Sequence, residues 1–504
     1  MNEKKDLLFV GGDLSGIQKF IYNISSKKAM VSLKGRSAYL KQYMDKVCEK
    51  LEKRTAGNNK DVVYCSGGKF YVIVENTENN ILVIENLQKE VEQELWNEHK
   101  GQLALNICYV PFSFNEDKTK VFVDGCESTK LGILWQNLTQ QFNDLKYQKF
   151  KKLLLDDYDA FFGVTEIGEK PEVCAITGIE GKCESITKDE NGEEIKVLPS
   201  VKKQIDLGQE IRDKEHFKML EEYADDSYLG VLRMDVDKLG SLFANGFETI
   251  EKYKKISGTL DSFFSDQKEK RSGKIIRESV LHQIQRQDKY KDDMNIVYAG
   301  GDDIFAVGRW DKIIEFAYDV HEAFVKHINN PDVTISGGIA IVGSKFPIAK
   351  SAEMSGNAEE AAKRYDDGKG HLKNAFNMFG ETVSWNFEFD YIQRYKKQFV
   401  NLIDKSGLSK GILHRIMTYA EMAKSNERIK QENEKGNMKK KPNLSYVWHK
   451  AYYLSRYIEQ NKKNSDVVDF CKDLRDKQLL GNRNYELMAV AARWAELELR
   501  EKTN

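Results

Sequence analysis

From Tyr228 to Val342, short continuous apolar runs give way in turn to helically spaced ones. Leu229–Met234 reads as a strand ending in Asp235-Val236-Asp237, and Lys238–Phe243 as the opening turn of a helix. Tyr253–Phe264 has helical spacing. Asn295–Ala299 and Ile304–Val307 are β-rich runs on either side of Gly300-Gly301-Asp302-Asp303, a hairpin signal. Ile313–Ile328 predicts a helix and Val333–Val342 a closing strand. The order βαββαβ is that of a ferredoxin-like split βαβ sheet.

The same order occurs earlier in the chain. Asp6–Asp13 predicts a strand, Arg36–Leu51 a helix, and Val62–Cys65 and Phe70–Glu75 a hairpin around Ser66-Gly67-Gly68-Lys69. Ile81–Leu95 predicts a helix and Leu103–Val110 a strand. Asp13-Leu14-Ser15-Gly16 aligns with Asp237-Lys238-Leu239-Gly240, and Ser66-Gly67-Gly68-Lys69-Phe70 with Ala299-Gly300-Gly301-Asp302-Asp303. On this alignment Gly11 stands for Asp235, and Lys69-Phe70 for Asp302-Asp303, so the first copy keeps the fold signals and loses most of the acids.

Four regions follow: residues 1–150 as a first βαββαβ domain, 151–222 as a small linker domain, 223–384 as the second βαββαβ domain, and 385–504 as a helical domain. The fold class is α+β. In the linker, Cys174 and Cys183 read as free thiols. Beyond residue 385, Trp385–Ile403, Ile412–Ala423, Leu444–Ile458 and Tyr485–Leu499 predict helices whose aromatic stripe reads as core. The basic run Lys435–Lys441 reads as a solvated loop.

A chain of 504 residues holding 78 Lys+Arg against 79 Asp+Glu has no global basic excess, so any nucleic-acid surface must be local. Only six prolines and no Gly/Ser tract argue against extended disorder. No apolar run reaches the roughly 18 residues that span a bilayer, so a cytoplasmic protein without membrane contact is expected. The seven cysteines form no C-x-x-C pair, so no disulfide scaffold and no ordinary zinc ribbon are expected.

The chemistry concentrates in the second copy. Asp235 and Asp237, two apart on a strand, face the same way. The split sheet brings Asp302 and Asp303 beside them. Clustered carboxylates repel unless a cation lies between them, and oxygen ligands without His or Cys suit Mg²⁺ or Mn²⁺. Two such ions can clamp the attacking and leaving oxygens of a phosphoryl displacement. Gly300 and Gly301 let the hairpin approach a nucleotide closely. The turn Asp237, Lys238, Leu239, Gly240, Ser241 offers backbone N–H groups to a triphosphate. Lys373 is placed to neutralise phosphate charge.

The segments 12–22, 34–40, 66–70, 234–240 and 299–303 resemble the large, palm-domain subunit of type III CRISPR interference complexes, closest to the type III-A branch. The resemblance implies two polymerase/cyclase-like palms, a linker that often binds zinc, and a C-terminal helical domain. It implies a second palm that makes a signalling nucleotide, a cyclic oligoadenylate, from ATP when the complex pairs its guide RNA with target RNA. Partners would be those RNAs and the backbone, guide-5′-end-binding and small subunits. Carried over residue by residue, Asp235, Asp302 and Asp303 hold the metals with the Val236 carbonyl. Gly300 and Gly301 face the nucleotide, Asp237 to Ser241 cradle phosphate, and Lys373 lies near. The degenerate first palm keeps Ser15, Gly16, Ser66, Gly67 and Gly68 for a second ATP. Relatives usually begin with a histidine-aspartate nuclease domain. Here no His is followed by Asp and the first palm starts near Met1, so that nuclease is not expected in this chain. Thr177 replaces a knuckle cysteine, so zinc is not expected. Three rival readings keep the motifs: ATP conjugation to S-adenosylmethionine, a diguanylate-cyclase-like enzyme, and a catalytically dead scaffold of an RNA-guided complex.

Overall fold

The computed structural model describes residues 6–115, 120–123, 125–156, 158–159, 172–189, 191–224, 227–245, 249–268, 275–436 and 441–501. Strands β1 (Leu7–Ser15), β2 (Asp61–Ser66), β3 (Lys69–Glu75), β4 (Ala104–Phe114), β5 (Val121–Val123) and β6 (Cys126–Ser128) form a sheet in the order β2-β3-β1-β4-β5-β6. Helices Ala29–Arg54 and Glu78–His99 make its two crossovers. A ribbon of β7 (Ser185–Lys188) and β8 (Glu194–Val197) follows. The second sheet contains β9 (Tyr228–Val236), β12 (Met294–Gly300), β13 (Asp303–Arg309), β14 (Ile335–Gly343), β15 (Ala375–Met378) and β16 (Glu381–Ser384), in the order β12-β13-β9-β14-β15-β16. Between β9 and β12 lies a small ribbon of β10 (Gln267–Lys268) and β11 (Ile275–Arg277). The first four strands of each copy take the same spatial order, that of the split βαβ fold.

The chain divides into two compact units, Met1–Ile335 with Ile341–Ser355, and Ser336–Ala340 with Gly356–Asn504. In the first unit the two copies share an aromatic core. Phe9 packs edge-on to Trp135 at 4.6 Å, and Trp135 stacks on Tyr253 of the second copy at 4.3 Å. Burying such rings contributes roughly 2–3 kcal/mol each. Helix Ala29–Arg54 crosses helix Pro199–Glu215 at a pair of glycines. A methyl on Gly35 would stand 1.8 Å from the Gln204 carbonyl oxygen, and one on Gly208 2.0 Å from that of Val31. The sequence reading has no helix over Pro199–Glu215. Its buried Val201, Gln204, Ile205 and Gly208 keep helical spacing, but Gln and Gly hide the apolar signal. Arg36, 1% exposed, lies over the Phe20 ring at 4.7 Å and donates from Nε to Gln204 Oε1 at 3.1 Å. Arg36 thus acts in packing.

In the second unit, helix Asn482–Glu501 packs on Asp390–Ser406 and Gly411–Glu434, with Ser445–Gln460 and Ser465–Asp473 completing the set. The expected helix at 385 opens as a π-helical turn, Trp385–Phe389, before Asp390–Ser406. The aromatic stripe is core only in part. Tyr395, Phe399, Tyr446, Tyr485 and Trp494 are buried, but Trp448 and Tyr452 are 60% and 58% exposed. Helical spacing alone does not tell a core stripe from a second, outward one. Part of the Lys435–Lys441 loop, residues 437–440, and part of the linker, residues 160–171, lie outside the described residues. No described helix is long and apolar enough to cross a membrane.

Candidate active site

β9 and β13 pair antiparallel, with Asp235 opposite Asp303. The β12–β13 turn is closed at Gly300 opposite Asp303, and the Asp302 N–H donates to the Gly300 carbonyl at 2.9 Å. This three-residue closure puts Gly301 at φ 68, where a side chain would be strained. The Val236 N–H donates to the Asp302 carbonyl at 3.1 Å, tying the turn to β9. Asp235, Asp302 and Asp303 therefore lie at the same end of the paired strands β9 and β13, although no three acidic, His or Cys side chains among the described residues gather closely enough in this conformation to hold a metal ion.

Burial, then the neighbouring Asp303, pushes the Asp302 carboxyl up to about 6, against the pull of Lys69. Burial also raises Asp303, opposed by Arg233 and then Lys69. Two half-buried acids held above their ordinary range form a set that a divalent cation would relieve, and their all-oxygen chemistry fits Mg²⁺ or Mn²⁺.

Asp237 lies one residue past β9 and is 2% exposed. Its carboxylate accepts from Thr334 Oγ1 at 2.8 Å, and its N–H donates to the Thr334 carbonyl at 2.8 Å. This side chain anchors the turn. It stands past the end of the strand, so the strand alternation expected to put it on the face of Asp235 does not extend to it. After it, Lys238 takes φ 58, Leu239 is buried, and Lys238, Gly240 and Ser241 are exposed at the start of a seven-residue helix. Lys373 belongs to the second unit, where it takes φ 61 and its N–H donates to the Tyr365 carbonyl at 2.9 Å.

The strand register corrects the alignment of the two copies. Asp13 pairs with Lys69 across β1 and β3, as Asp235 pairs with Asp303. The Leu14 N–H donates to the Gly68 carbonyl at 2.9 Å, as Val236 does to Asp302. Hence Asp13 is the counterpart of Asp235, Gly68 of Asp302 and Lys69 of Asp303. A sequence match cannot see this shift, because the glycines align equally well one residue out. The first copy keeps the strand acid, now 3.5 Å from Lys146, and replaces the hairpin acid with a lysine.

The two hairpins touch, glycine against glycine. A methyl on Gly301 would lie 3.1 Å from Gly67 Cα and 2.9 Å from the Tyr64 hydroxyl. Beside the contact, Ser66, Gly67, Gly68 and Gly300 line a cavity of about 210 Å³ with Lys34, Ser37, Lys41 and His282. The acids do not line it. Asp303 instead borders a crevice of about 10 Å³ with Arg233, Tyr22 and Tyr298. Ser15 turns inward, its hydroxyl donating to the Ala104 carbonyl at 3.1 Å, and Gly16 takes φ 95 because a methyl there would meet the Gln102 carbonyl oxygen at 2.1 Å.

Sequence reasoning missed Lys69, Arg233, Lys34 and His282. Lys34 lies in the quoted 34–40 motif without a role assigned there; it donates to Glu215 Oε2 at 2.9 Å. The His282 ring is oriented by Asp266, 2.8 Å from its Nδ1. No local signal marks that pair, since 15 residues separate its members.

Two family models match in chain order: Csm1 subunit domain B over residues 6–163 and the Cas10/Cmr2 second palm domain over 228–373. The second of these spans the three acids. Over these two stretches the chain is similar to Cas10/Csm1 proteins. A Cas10/Csm1 of subtype III-A from Methanocaldococcus jannaschii, named as a single-strand-specific deoxyribonuclease, is 25% identical over 77% of this chain. Its counterpart from Streptococcus thermophilus is 23% identical over 92%. The chain spans 61% and 64% of the length of these two relatives. Csm1–Csm4 cassettes solved with cA3 and with one ATP share the Cas10/Csm1 fold. They are 19% identical, at TM-scores of 0.66 and 0.64, over 98% of this chain and 70% of theirs.

Proposed function

We propose that this chain is the target-RNA-activated nucleotidyltransferase subunit of a type III CRISPR effector complex, acting in the cytoplasm and making cyclic oligoadenylate from ATP for antiviral defence. Residues 1–150 and 223–384 are read as its two palms, 151–222 as linker and 385–504 as the helical domain. One observation carries the reading: Asp235 stands opposite Asp303 at the end of β9 and β13, with Asp302 beside it in the turn, and both hairpin acids are held above their ordinary pKa. Structures of the same fold carrying pppApA, AMPPNP, cA3 and cA4 support it.

Asp235, Asp302, Asp303 and the Val236 carbonyl would hold Mg²⁺ or Mn²⁺. When bound, such ions stabilise charge on the transferring phosphoryl group and lower the pKa of a bound hydroxyl. The chain's own contribution is positioning. Gly300 and Gly301 let the hairpin backbone approach the nucleotide, and the N–H groups from Lys238 to Ser241 face phosphate. Lys373 is assigned to phosphate charge. Ser66 to Gly68 and Gly16 would receive a second ATP through backbone groups, because the Ser15 hydroxyl is committed within the sheet. The 3′-hydroxyl of one ATP attacks the α-phosphate of the other, and pyrophosphate leaves. Guide RNA, target RNA and the other complex subunits are the proposed partners.

The test is the double variant Asp302→Ala/Asp303→Ala in the assembled, target-activated complex. Mass spectrometry should show the ATP-derived product reduced by orders of magnitude, with complex assembly unchanged. Undiminished product would remove these acids from the mechanism. The same spectra would reveal an S-adenosylmethionine conjugate or a guanosine product if the acceptor or the base were different.

A further inference from the structure

The second unit carries a groove that the proposed reaction does not use. It runs between helices Gly411–Glu434 and Ser445–Gln460 and encloses about 720 Å³. The second helix contributes two ridges at helical spacing: Trp448, Tyr452 and Arg456, and beside them His449, Tyr453 and Tyr457. The first helix faces them with Arg415 and Thr418. Large aromatic side chains normally leave water, yet here Trp448 and Tyr452 stay more than half exposed.

The charge is one-sided. Arg415, Arg456 and His449 line the groove, and among the described residues no Asp or Glu does. This occurs in a chain whose acids and bases otherwise balance. The guanidiniums lie against rings, and among the described residues neither forms an ion pair with a carboxylate, although Glu459 acts on Arg456 from nearby. Arg415 stands 4.0 Å from the Tyr453 ring centre and Arg456 5.7 Å from that of Tyr452, with Arg456 Nη1 donating to the Tyr452 hydroxyl at 2.9 Å. An arginine stacked on a ring keeps its outer N–H groups for an oxygen anion. Successive outward rings with interleaved arginines match single-stranded nucleic acid, whose bases stack while its phosphates meet the cations. A protein segment would use the same aromatics, but it would not require a wall free of acids.

We infer that the groove between helices Gly411–Glu434 and Ser445–Gln460 binds single-stranded nucleic acid, stacking bases on Trp448 and Tyr452 and pairing phosphates with Arg415 and Arg456. The groove is built wholly from residues of the second unit, its lining includes none of the acids of the second palm, and the inference does not rest on their chemistry.

Fluorescence anisotropy of the full chain with a labelled, unstructured RNA oligonucleotide tests this. Trp448→Ala/Tyr452→Ala should weaken binding by at least roughly thirty-fold, the loss of two stacking platforms. Arg415→Gln/Arg456→Gln should flatten the dependence of log affinity on log salt by about 0.7 for each phosphate contact removed. Thr418→Glu removes no packing but places an acid in the acid-free wall, so it guards against a folding artefact and should also weaken binding. Single-stranded DNA of the same sequence should bind through the same groove and lose affinity in the same variants, and a double-stranded oligonucleotide bound as tightly would overturn the inference. Circular dichroism confirms that each variant is folded. Unchanged RNA affinity and salt slope in all three folded variants would overturn the proposal. So would unchanged RNA affinity with loss of another complex subunit from the purified assembly, which would make the groove a protein interface.

Discussion

Asp302 is the side chain whose protonation reports most directly on the site. Its pKa is about 6 in the folded chain against an ordinary 3.8, through burial first and Asp303 second. A carboxyl raised on folding contributes stability that is complete below pH 4 and is lost as pH rises through 6. In metal-free buffer, Asp302→Asn should therefore stabilise the fold at pH 7.5 by on the order of 1 kcal/mol after allowance for solvent screening, read as a higher melting temperature, and give no gain at pH 4. Equal effects at both pH values would mean that Asp302 is not held in its raised state. Excess Mg²⁺ should stabilise the wild type and leave Asp302→Asn/Asp303→Asn unmoved, since only a ligand of the folded state shifts the melt. A thermal scan with and without metal reads this without any turnover. Lys69 lowers both acids from the other hairpin. The residue that looks like a lost ligand is a cation of the same site.

Two glycine contacts hold larger pieces in register. Gly301 combines φ 68 with its approach to Gly67 and Tyr64, so Gly301→Ala both strains the turn and pushes the hairpins apart. Its product yield in the assembled complex should fall at least tenfold, while a modest loss of stability accompanies it. Gly35→Ala meets the Gln204 carbonyl oxygen at 1.8 Å, which neither backbone can easily yield. Separating those helices should cost about 1–3 kcal/mol in denaturant unfolding. Gly258 is the control: it lies in helix Ile250–Phe264 with nothing within 4 Å of an added methyl. Gly258→Ala should stabilise by about 0.5–1 kcal/mol. If Gly35→Ala proves as harmless as Gly258→Ala, the close crossing of helices Ala29–Arg54 and Pro199–Glu215 is not a feature of the folded chain in solution.

Two expectations concern the chain in its entirety. Cys174 and Cys183 are buried, and no group of three or more His, Cys, Asp or Glu side chains among the described residues gathers as a metal site. Thr177 occupies the knuckle position, its Oγ1 accepting from the Ile179 N–H at 3.4 Å. Elemental analysis should find less than one zinc per chain, and a stoichiometric value would contradict this. The second expectation separates this chain from the activity for which its relatives are named. None of its eight histidines precedes an aspartate. The purified protein should leave single-stranded DNA intact in Mg²⁺ or Mn²⁺. Cutting that survives purification and persists in Asp302→Ala/Asp303→Ala would reveal a nuclease centre elsewhere in these residues.

The split βαβ order, its duplication and the three acids were legible in the chain, because each depends on local periodicity and turn chemistry that neighbouring residues specify. The Gly300-Gly301-Asp302-Asp303 turn needs no distant partner to be recognised. What lay beyond the sequence depends on residues far apart in it. The correspondence of Asp13 with Asp235 and of Lys69 with Asp303 is a matter of strand register, which hydrogen bonding between separate segments sets. The burial that raises Asp302 and Asp303 comes from packing around the turn. The Asp266–His282 pair and the Gly67–Gly301 contact join segments that no pattern links. Helical spacing placed Trp448, Tyr452 and Tyr485 on helices. Only the packed helices sort Tyr485 inward and leave Trp448 and Tyr452 in water, because a periodicity marks a face and its neighbours decide what covers that face.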